Sequence, residues 1–448
     1  MKIIIAGAGK VGFHLASSLS TYHDVVIIDK NTEAIENIHE SLDVMAIHGD
    51  ICNSQIYEDL SNNEIDYFIC VTNSDESNLM ASMLIDEKLT VKKKILRLQK
   101  NFYKDTNLSK LNIYKTIFPS RKVARSMDFL LKYPKANNVK KFLNLDMLLL
   151  SIKLRNINLI NKTVEGIEEF FDNSLPIVGI ERNNEFLIPD KEFVAKKDDL
   201  IYLFSSKEKI DKYYQLFDDE NSKDITYESA IIVGASRVGI EIAKVLIKNE
   251  IHVKIIEKDI NQCNIAQEEL NGDGTILHTR YGWADLLKTE TLDSADIFIT
   301  ANKDDEFNII KSIEAKQTKI PKVITINNER EYYHLMHSLG LTVIRGEKID
   351  AFYSIIENIN TDTAISQKRY CGGKGIALYK EINEESKCVD KYLKIPKKII
   401  STSKILIISQ NSLIVDLSSH ICNVNDKIIV FTEEESDLIV EKWLYQEV

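Results

Sequence analysis

The chain is short of several things, and each shortage closes off a class of protein. Only 6 prolines and 16 glycines occur among 448 residues, which excludes collagen-like or Pro-rich disordered character. The six cysteines (Cys52, Cys70, Cys263, Cys371, Cys388 and Cys422) lie far apart with no CxxC pair. That spacing argues against a disulfide framework and for reduced, buried thiols in an intracellular protein. His334 and His337 are three apart, on one face of an expected helix, yet no Cys, His or Glu cluster completes a ligand set, so no metal is expected. No apolar run approaches the ~20 residues that cross a bilayer. The most apolar stretch, Phe142 to Leu154, is interrupted by Asn144, Asp146, Ser151 and Lys153. Positive charge is also in deficit: 57 basic against 68 acidic side chains give a net charge of −11, which provides no global field for nucleic acid or anionic lipid. The opening MKIIIAGAGKVG runs from three isoleucines into glycines, the pattern of a buried strand and not of a signal peptide. A cytoplasmic protein with no nucleic-acid partner is expected.

What is present is an ordinary globular balance, 44% apolar and 28% charged, over a length that suggests about three domains at roughly 150 residues each. The chain also repeats itself. KIIIAGAGKVGFHLASSL at 2–19 returns as AIIVGASRVGIEIAKVL at 230–246, with Gly7 facing Gly234 and Gly12 facing Gly239. VVIIDK at 25–30 returns as VKIIEK at 253–258, which sets Asp29 opposite Glu257, and IDYFICVTNSDESN at 65–78 returns as ADIFITANKDDEFN at 295–308. IVGIERNNEFLIP at 177–189 faces ILIISQNSLIVDL at 405–417. The chain therefore reads as a duplication of a unit of about 225 residues.

Within the first unit, short apolar runs (3–6, 25–28, 44–47, 67–71, 95–98 and 116–118) alternate with segments of helical spacing. Such a βαβα series predicts a parallel sheet covered on both faces. The fold class is α/β: a duplicated Rossmann-like, doubly wound parallel-sheet domain, each copy followed by a small α+β lobe. The expected domains are 1–135, 140–218, 228–360 and 368–448, with the acidic stretch 218–226 as linker.

Gly7-Ala8-Gly9-Lys10-Val11-Gly12 follows a strand and opens a helix, the context in which GxGxxG gains meaning. Gly7 permits the tight turn, Gly9 the close approach of a pyrophosphate and Gly12 the packing of helix on strand. Asp29 ends the second strand, where a carboxylate accepts hydrogen bonds from ribose hydroxyls and repels a 2′-phosphate, favouring NAD over NADP. The alternative is a tight turn beside a solvated acid. Further strand ends carry His48-Gly49-Asp50, Thr72-Asn73-Ser74-Asp75 and Arg97. Ser74 or Asp75 either touches ligand or caps a helix, and Arg97 pairs either with a phosphate or with a surface acid. The second copy keeps Gly234 and Gly239 but has Ser236 at the central position, beside Arg237. A Cβ there crowds the approach of pyrophosphate. Glu257 keeps the acid, and His278-Thr279 replaces the Gly-Asp pair, so the second site is expected to be weaker or altered.

Catalytic machinery is harder to find. The 140–218 lobe has no histidine, its Tyr202, Tyr213 and Tyr214 sit on or beside the last strand and helix, and GxSxG and P-loop motifs are absent. No catalytic residue is assigned, and a sensor is expected in preference to an enzyme.

The tandem halves, with Gly7 to Gly12 (GAGKVG), Asp29, His48-Gly49-Asp50 and Thr72 to Asn78 in the first, followed by Ile177-Val178-Gly179-Ile180-Glu181-Arg182, Pro189 and Lys197-Asp198-Asp199-Leu200, resemble the TrkA family of regulatory subunits of Trk-type potassium uptake systems. Each half is similar to a TrkA-N (RCK) domain followed by a TrkA-C domain. The resemblance implies a cytoplasmic protein that self-associates as a dimer or tetrameric ring. It implies docking beneath a membrane potassium-conducting subunit, peripheral to the membrane, and gating by NAD(H) or ATP/ADP. It places Gly7, Gly9 and Gly12 on the phosphates, Asp29 on ribose, Asp50 near the adenosine, Thr72 and Asn73 near the second ribose or phosphate, and Arg97 on a phosphate. The chain departs at Gln99, where the family often has a second arginine, and at Gln410 and Asn411, opposite Arg182 and Asn183. An NAD-dependent oxidoreductase and a scaffold with a vestigial pocket are the other readings.

Overall fold

The computed structural model describes residues 1–60, 64–100, 102–106, 108–142, 146–217, 225–279, 295–318, 320–329, 331–359, 366–411 and 413–448. Most of the expected linker, 218–224, lies outside them. The apolar runs become β1 (Lys2–Ala6), β2 (Asp24–Asp29), β3 (Met45–His48), β4 (Ile65–Cys70), β5 (Val91–Arg97) and β6 (Lys115–Ile117). They pair in parallel in the order β3-β2-β1-β4-β5-β6. The order reverses between β1 and β4, which opens a crevice at the carboxyl ends of the strands. Helices α1 (Lys10–Leu19), α2 (Thr32–Ser41) and α3 (Asp75–Leu84) lie between strands. Ile3, Ile5, Val25 and Ile27 enter one core, and Ile4, Ala6, Val26 and Ile28 the other. Successive side chains of one strand are thus buried on opposite faces, so these strands are apolar throughout.

The core under α1 is completed from far along the chain. The helix Glu347–Ile359 adds Ala351, Phe352, Ile355 and Ile359 to the cluster of Ile3, Val11 and Leu15. The sequence reading places this helix in the 228–360 domain. Its apolar period shows that one face is buried but does not say against which sheet.

The α+β segment contains β7 (Ala136–Lys141), β8 (Met147–Lys153), β9 (Ile177–Arg182), β10 (Glu185–Leu187) and β11 (Leu200–Ser206). They form an antiparallel sheet in the order β10-β9-β11-β8-β7. β7 begins in the gap between the expected domains, because ANNVKK has too few apolar residues to read as a strand. The second parallel sheet comprises β12 (Ser229–Val233), β13 (His252–Glu257), β14 (Thr275–His278), β15 (Ile297–Thr300), β16 (Lys322–Asn327) and β17 (Thr342–Arg345), in the order β14-β13-β12-β15-β16-β17. The last sheet, β18 (Ser366–Tyr370), β19 (Gly375–Glu381), β20 (Ser403–Ile408), β21 (Ile414–Val415) and β22 (Lys427–Glu433), runs β18-β19-β22-β20-β21. Both strand orders therefore occur twice, as a duplication requires.

The two antiparallel sheets are not separate lobes. Phe142, Leu149, Tyr202 and Phe204 share a core with Tyr370, Leu406 and Phe431, and the rings of Phe204 and Phe431 are centred 5.1 Å apart. The buried Tyr370 hydroxyl donates to the Val178 carbonyl at 2.9 Å. Each sheet covers its other face with its own helices. The chain accordingly divides into two compact units that cut across the halves. One is Met1–Arg125 with Ala235–Lys244 and Arg345–Ile359, and the other is Ser126–Gly234 with Val245–Ile344 and Asn360–Val448.

Candidate functional site

β1 delivers the chain into Gly7, whose φ is +112°, a conformation open to glycine and strained for other residues. A Cβ on Gly7 would stand 3.0 Å from the Thr72 amide nitrogen, and one on Gly12 only 1.8 Å from the Gly7 carbonyl oxygen. These two glycines let the β1 loop, β4 and α1 close on one another. Gly9 differs. It has an ordinary φ of −68°, it caps α1 without a side-chain hydrogen bond, and a Cβ there would meet nothing within 4 Å. The loop thus presents an uncapped helix N-terminus to open space, the arrangement that attracts phosphate. Lys10 is exposed beside it, while Val11 is buried.

Asp29 is half-buried, and its carboxylate accepts from the Ala8 N–H at 2.6 Å and the Asn31 N–H at 2.9 Å. It therefore ties the glycine loop to the end of β2 and still has lone pairs free for ribose hydroxyls. His48 Nε2 lies 3.1 Å from the Lys30 carbonyl oxygen, and Gly49 N–H donates to the Asp29 carbonyl at 2.9 Å. Asp50 is exposed and accepts from the Cys52 N–H at 2.9 Å.

On the β4 side the Thr72 hydroxyl donates to Asn78 Oδ1 at 2.6 Å, and Asn78 Nδ2 donates to the Arg97 carbonyl at 2.9 Å. Asn73 is exposed. Ser74 accepts from the Ser77 N–H at 3.1 Å and so caps α3. Asp75 is buried and receives the Gln99 and Lys100 N–H groups, at 2.8 and 2.7 Å. Of the two roles open for Ser74 and Asp75, the structure supplies the architectural one. Arg97 does stand beside an acid, but in a buried place and not at the surface. It is 4% exposed, its Nη2 stands 3.6 Å from Glu347 Oε1, and its Nε has no hydrogen-bond partner. Burial lowers its pKa from the ordinary value, and Glu347 and Asp75 oppose that shift.

The second loop keeps the frame and alters the mouth. Gly234 has φ +107°, and a Cβ there would lie 2.8 Å from the Asn302 amide nitrogen, matching Gly7 and Thr72. Ser236 Oγ accepts from the Gly239 N–H at 3.2 Å, so this helix start is capped by its own chain. Arg237 donates from Nε and Nη2 to the Gln99 carbonyl, at 3.2 and 3.0 Å, a first-half partner that the sequence does not reveal. Glu257 is buried and accepts from the Lys258 and Asp259 N–H groups at 2.7 and 3.0 Å. His278 Nε2 lies 3.1 Å from the Lys258 carbonyl oxygen, as His48 does from Lys30.

The TrkA-N domain model matches residues 3–119 and 230–345, together more than half of the chain. The chain belongs to the TrkA-N family. It is 26% identical over 441 residues to a Trk system potassium uptake protein TrkA homolog of Archaeoglobus fulgidus, covering 97% of each chain. It is 25% identical over 464 residues to TrkA homolog 2 of Methanosarcina mazei, covering 99% of each. Among solved structures, the GsuK RCK domain superposes with a TM-score of 0.61 at 14% identity, covering 99% of this chain and 94% of that one. That likeness confirms the duplicated Rossmann-like fold.

Two groups of residues in this TrkA-N family chain lie away from the glycine loops. Arg182 Nε and Nη2 grip the buried Asp199 carboxylate at 2.8 and 2.7 Å. In the second copy, where Gln410 stands opposite Arg182, His420 Nε2 contacts Asp426 at 2.7 Å instead. The second group is Glu181, His337 and Cys371, whose donor atoms lie within 4.8 Å of one another. The expectation that no Cys, His or Glu cluster forms is thereby corrected. These residues are 156 and 34 positions apart, so spacing alone could not join them. The side chain of His334 lies outside the described residues.

Proposed function

We propose that the chain is the nucleotide-binding regulatory subunit of a Trk-type potassium uptake system. NAD(H) or ATP/ADP binds the first glycine loop, and its occupancy biases a membrane potassium-conducting partner. The observation that carries this reading is the open space over Gly9 at the uncapped start of α1, beside the half-buried Asp29 carboxylate. In this reading Gly7, Gly9 and Gly12 surround the phosphates, Asp29 holds ribose and Asp50 faces the adenosine. Thr72 and Asn73 border the second ribose or phosphate, and Arg97, with its unpartnered Nε, takes a phosphate oxygen. The curated relatives carry the name of Trk system potassium uptake proteins, and one structural neighbour is a GsuK channel bound to NAD.

The role is regulatory and not catalytic. Tyr202 of β11, and Tyr213 and Tyr214 after it, bond internally to Glu181, to Asp172 and to the Lys132 carbonyl. Among the described residues no helix is long and apolar enough to cross a membrane, so in this reading the chain reaches the inner face of the cell membrane through its partner. It acts there as a dimer or tetrameric ring.

A regulatory site acts only if ligand binds two states with different affinity, and the coupling is reciprocal. Nucleotide dissociation constants of the free protein and of its complex with the potassium-conducting subunit should therefore differ, by roughly 5–150-fold. Equal constants for NAD(H), ATP and ADP would leave only a scaffold. Turnover of NADH against a substrate panel would favour an oxidoreductase.

A further inference from the structure

We infer that Glu181, His337 and Cys371 form a zinc site that fastens three segments of the chain. Glu181 lies next to the end of β9 in the first antiparallel sheet, His337 lies in the helix Tyr332–Ser338, and Cys371 follows β18 in the second antiparallel sheet. All three belong to the same compact unit. The Cys371 Sγ stands 3.3 Å from Glu181 Oε2 and 3.8 Å from His337 Nε2. Zinc bonds of ~2.3 Å to sulfur and ~2.0–2.1 Å to nitrogen or oxygen set tetrahedral donors about 3.3–3.6 Å apart. Both distances to sulfur lie close to that range. His337 Nε2 is 2.6 Å from Glu181 Oε2 and 2.7 Å from Oε1, so the carboxylate must withdraw by about 0.7 Å to reach the same tetrahedral edge. A hydrogen bond then gives way to two metal bonds.

The chemistry of the donors selects the metal. A thiolate, an imidazole and a carboxylate suit zinc and exclude the oxygen-seeking magnesium and calcium. Ionised Cys371 and Glu181 carry two negative charges, which a divalent cation neutralises in a buried place. Zinc binds the thiolate, so the metal displaces the Cys371 thiol proton on binding. Glu181 and Cys371 are buried, while the His337 side chain is 16% exposed. That open edge admits the ion and leaves a fourth position for water. The buried Tyr202 hydroxyl stands 3.3 Å from Glu181 Oε2 and orients the carboxylate from behind. Cys371, Gly372 and Gly373 all have positive φ, +50°, +64° and +106°. The turn brings Gly372 against the imidazole, where a Cβ would lie 3.6–3.8 Å from His337 atoms.

The test uses the full chain, stripped of metal with a chelator. Zinc affinity is read by competition with a chromophoric chelator, and cobalt substitution is followed by its thiolate charge-transfer absorption. One zinc per chain is expected, with affinity falling at least 100-fold in Cys371→Ser and at least 10-fold in His337→Gln, and with the cobalt–thiolate band lost in Cys371→Ser. Cys388→Ser should retain both. Zinc-edge X-ray absorption on the unmutated protein avoids any folding defect of the variants, and should report one sulfur near 2.3 Å with nitrogen and oxygen near 2.0 Å. Absence of stoichiometric zinc, a cobalt–thiolate band that survives Cys371→Ser, or a zinc shell with no sulfur or several would each overturn the site.

Discussion

The two glycine loops share a frame and differ at the mouth. In both, the first glycine has a left-handed φ and sits against the amide that follows a parallel strand, Thr72 in one copy and Asn302 in the other. In both, an asparagine from the next helix bonds that amide and the carbonyl of a further strand, as Asn78 does with Arg97 and Asn308 with Ile326. The frame is what folding needs, and duplication preserved it. At the mouth, the first copy leaves its helix start uncapped beneath open space, whereas the second fills the same need with Ser236. An N–H group that already has a partner in its own chain offers less to a phosphate. The second copy also has Ile326 where the first has the buried Arg97. Retention of fold and retention of ligand are therefore separable within one molecule.

The sharpest way to separate them is a pair of substitutions three residues apart on the same loop. Gly12→Ala forces a Cβ to 1.8 Å from the Gly7 carbonyl oxygen, so the loop must move. A stability loss of about 2–3 kcal/mol by denaturant titration is expected, together with loss of nucleotide binding. Gly9→Ala meets nothing in the protein, so stability should stay within about 0.5 kcal/mol while nucleotide affinity drops. If Gly9→Ala leaves affinity intact, the open space above that residue is not the ligand's.

Asp29→Ala comes next. Removing charged hydrogen bonds to ribose should weaken NAD(H) or ATP/ADP by about 1–3 kcal/mol in calorimetry. Unchanged affinity would reduce Asp29 to its role of bonding Ala8 and Asn31. The unaltered chain should itself titrate unequally, with the second site at least tenfold weaker, or about 1.4 kcal/mol. Two equal sites would show that neither Ser236 nor the missing arginine weakens the second loop. The smallest effect is reserved for Ser236→Gly. It should cost only a few tenths of a kcal/mol in stability, as Ser-to-Gly changes at helix caps do, and should raise affinity at the second loop. No gain there would trace the asymmetry to the buried Glu257 or to the missing arginine.

Much of this was legible in the sequence because it is local. The parallel strands are short apolar runs, the glycine loop occupies six consecutive residues, and the duplication repeats actual residues, so period and identity sufficed. Partnerships were not legible. Asp75 reads as a helix cap or a ligand contact from its neighbours, and only the fold brings the Gln99 and Lys100 N–H groups to it. Glu181 reads as part of a strand motif, and nothing near it announces His337 or Cys371. The shared core of Phe204, Tyr370 and Phe431 was missed for the same reason. Alternation says that both faces of those sheets are apolar, but it does not say that each sheet covers the other.

The helix Glu347–Ile359 has a consequence for how the chain is made. It closes the core beneath α1, yet its last residue, Ile359, comes 359 − 117 = 242 positions after the end of the first sheet at Ile117. At typical ribosomal speeds of about 5–20 residues per second, roughly 12–50 s pass between synthesis of that sheet and completion of its core. Throughout that interval Val11, Leu15 and their neighbours lack the apolar cover that Phe352 and Ile355 later provide. The completion of the N-terminal core is thus timed by the far end of the second copy.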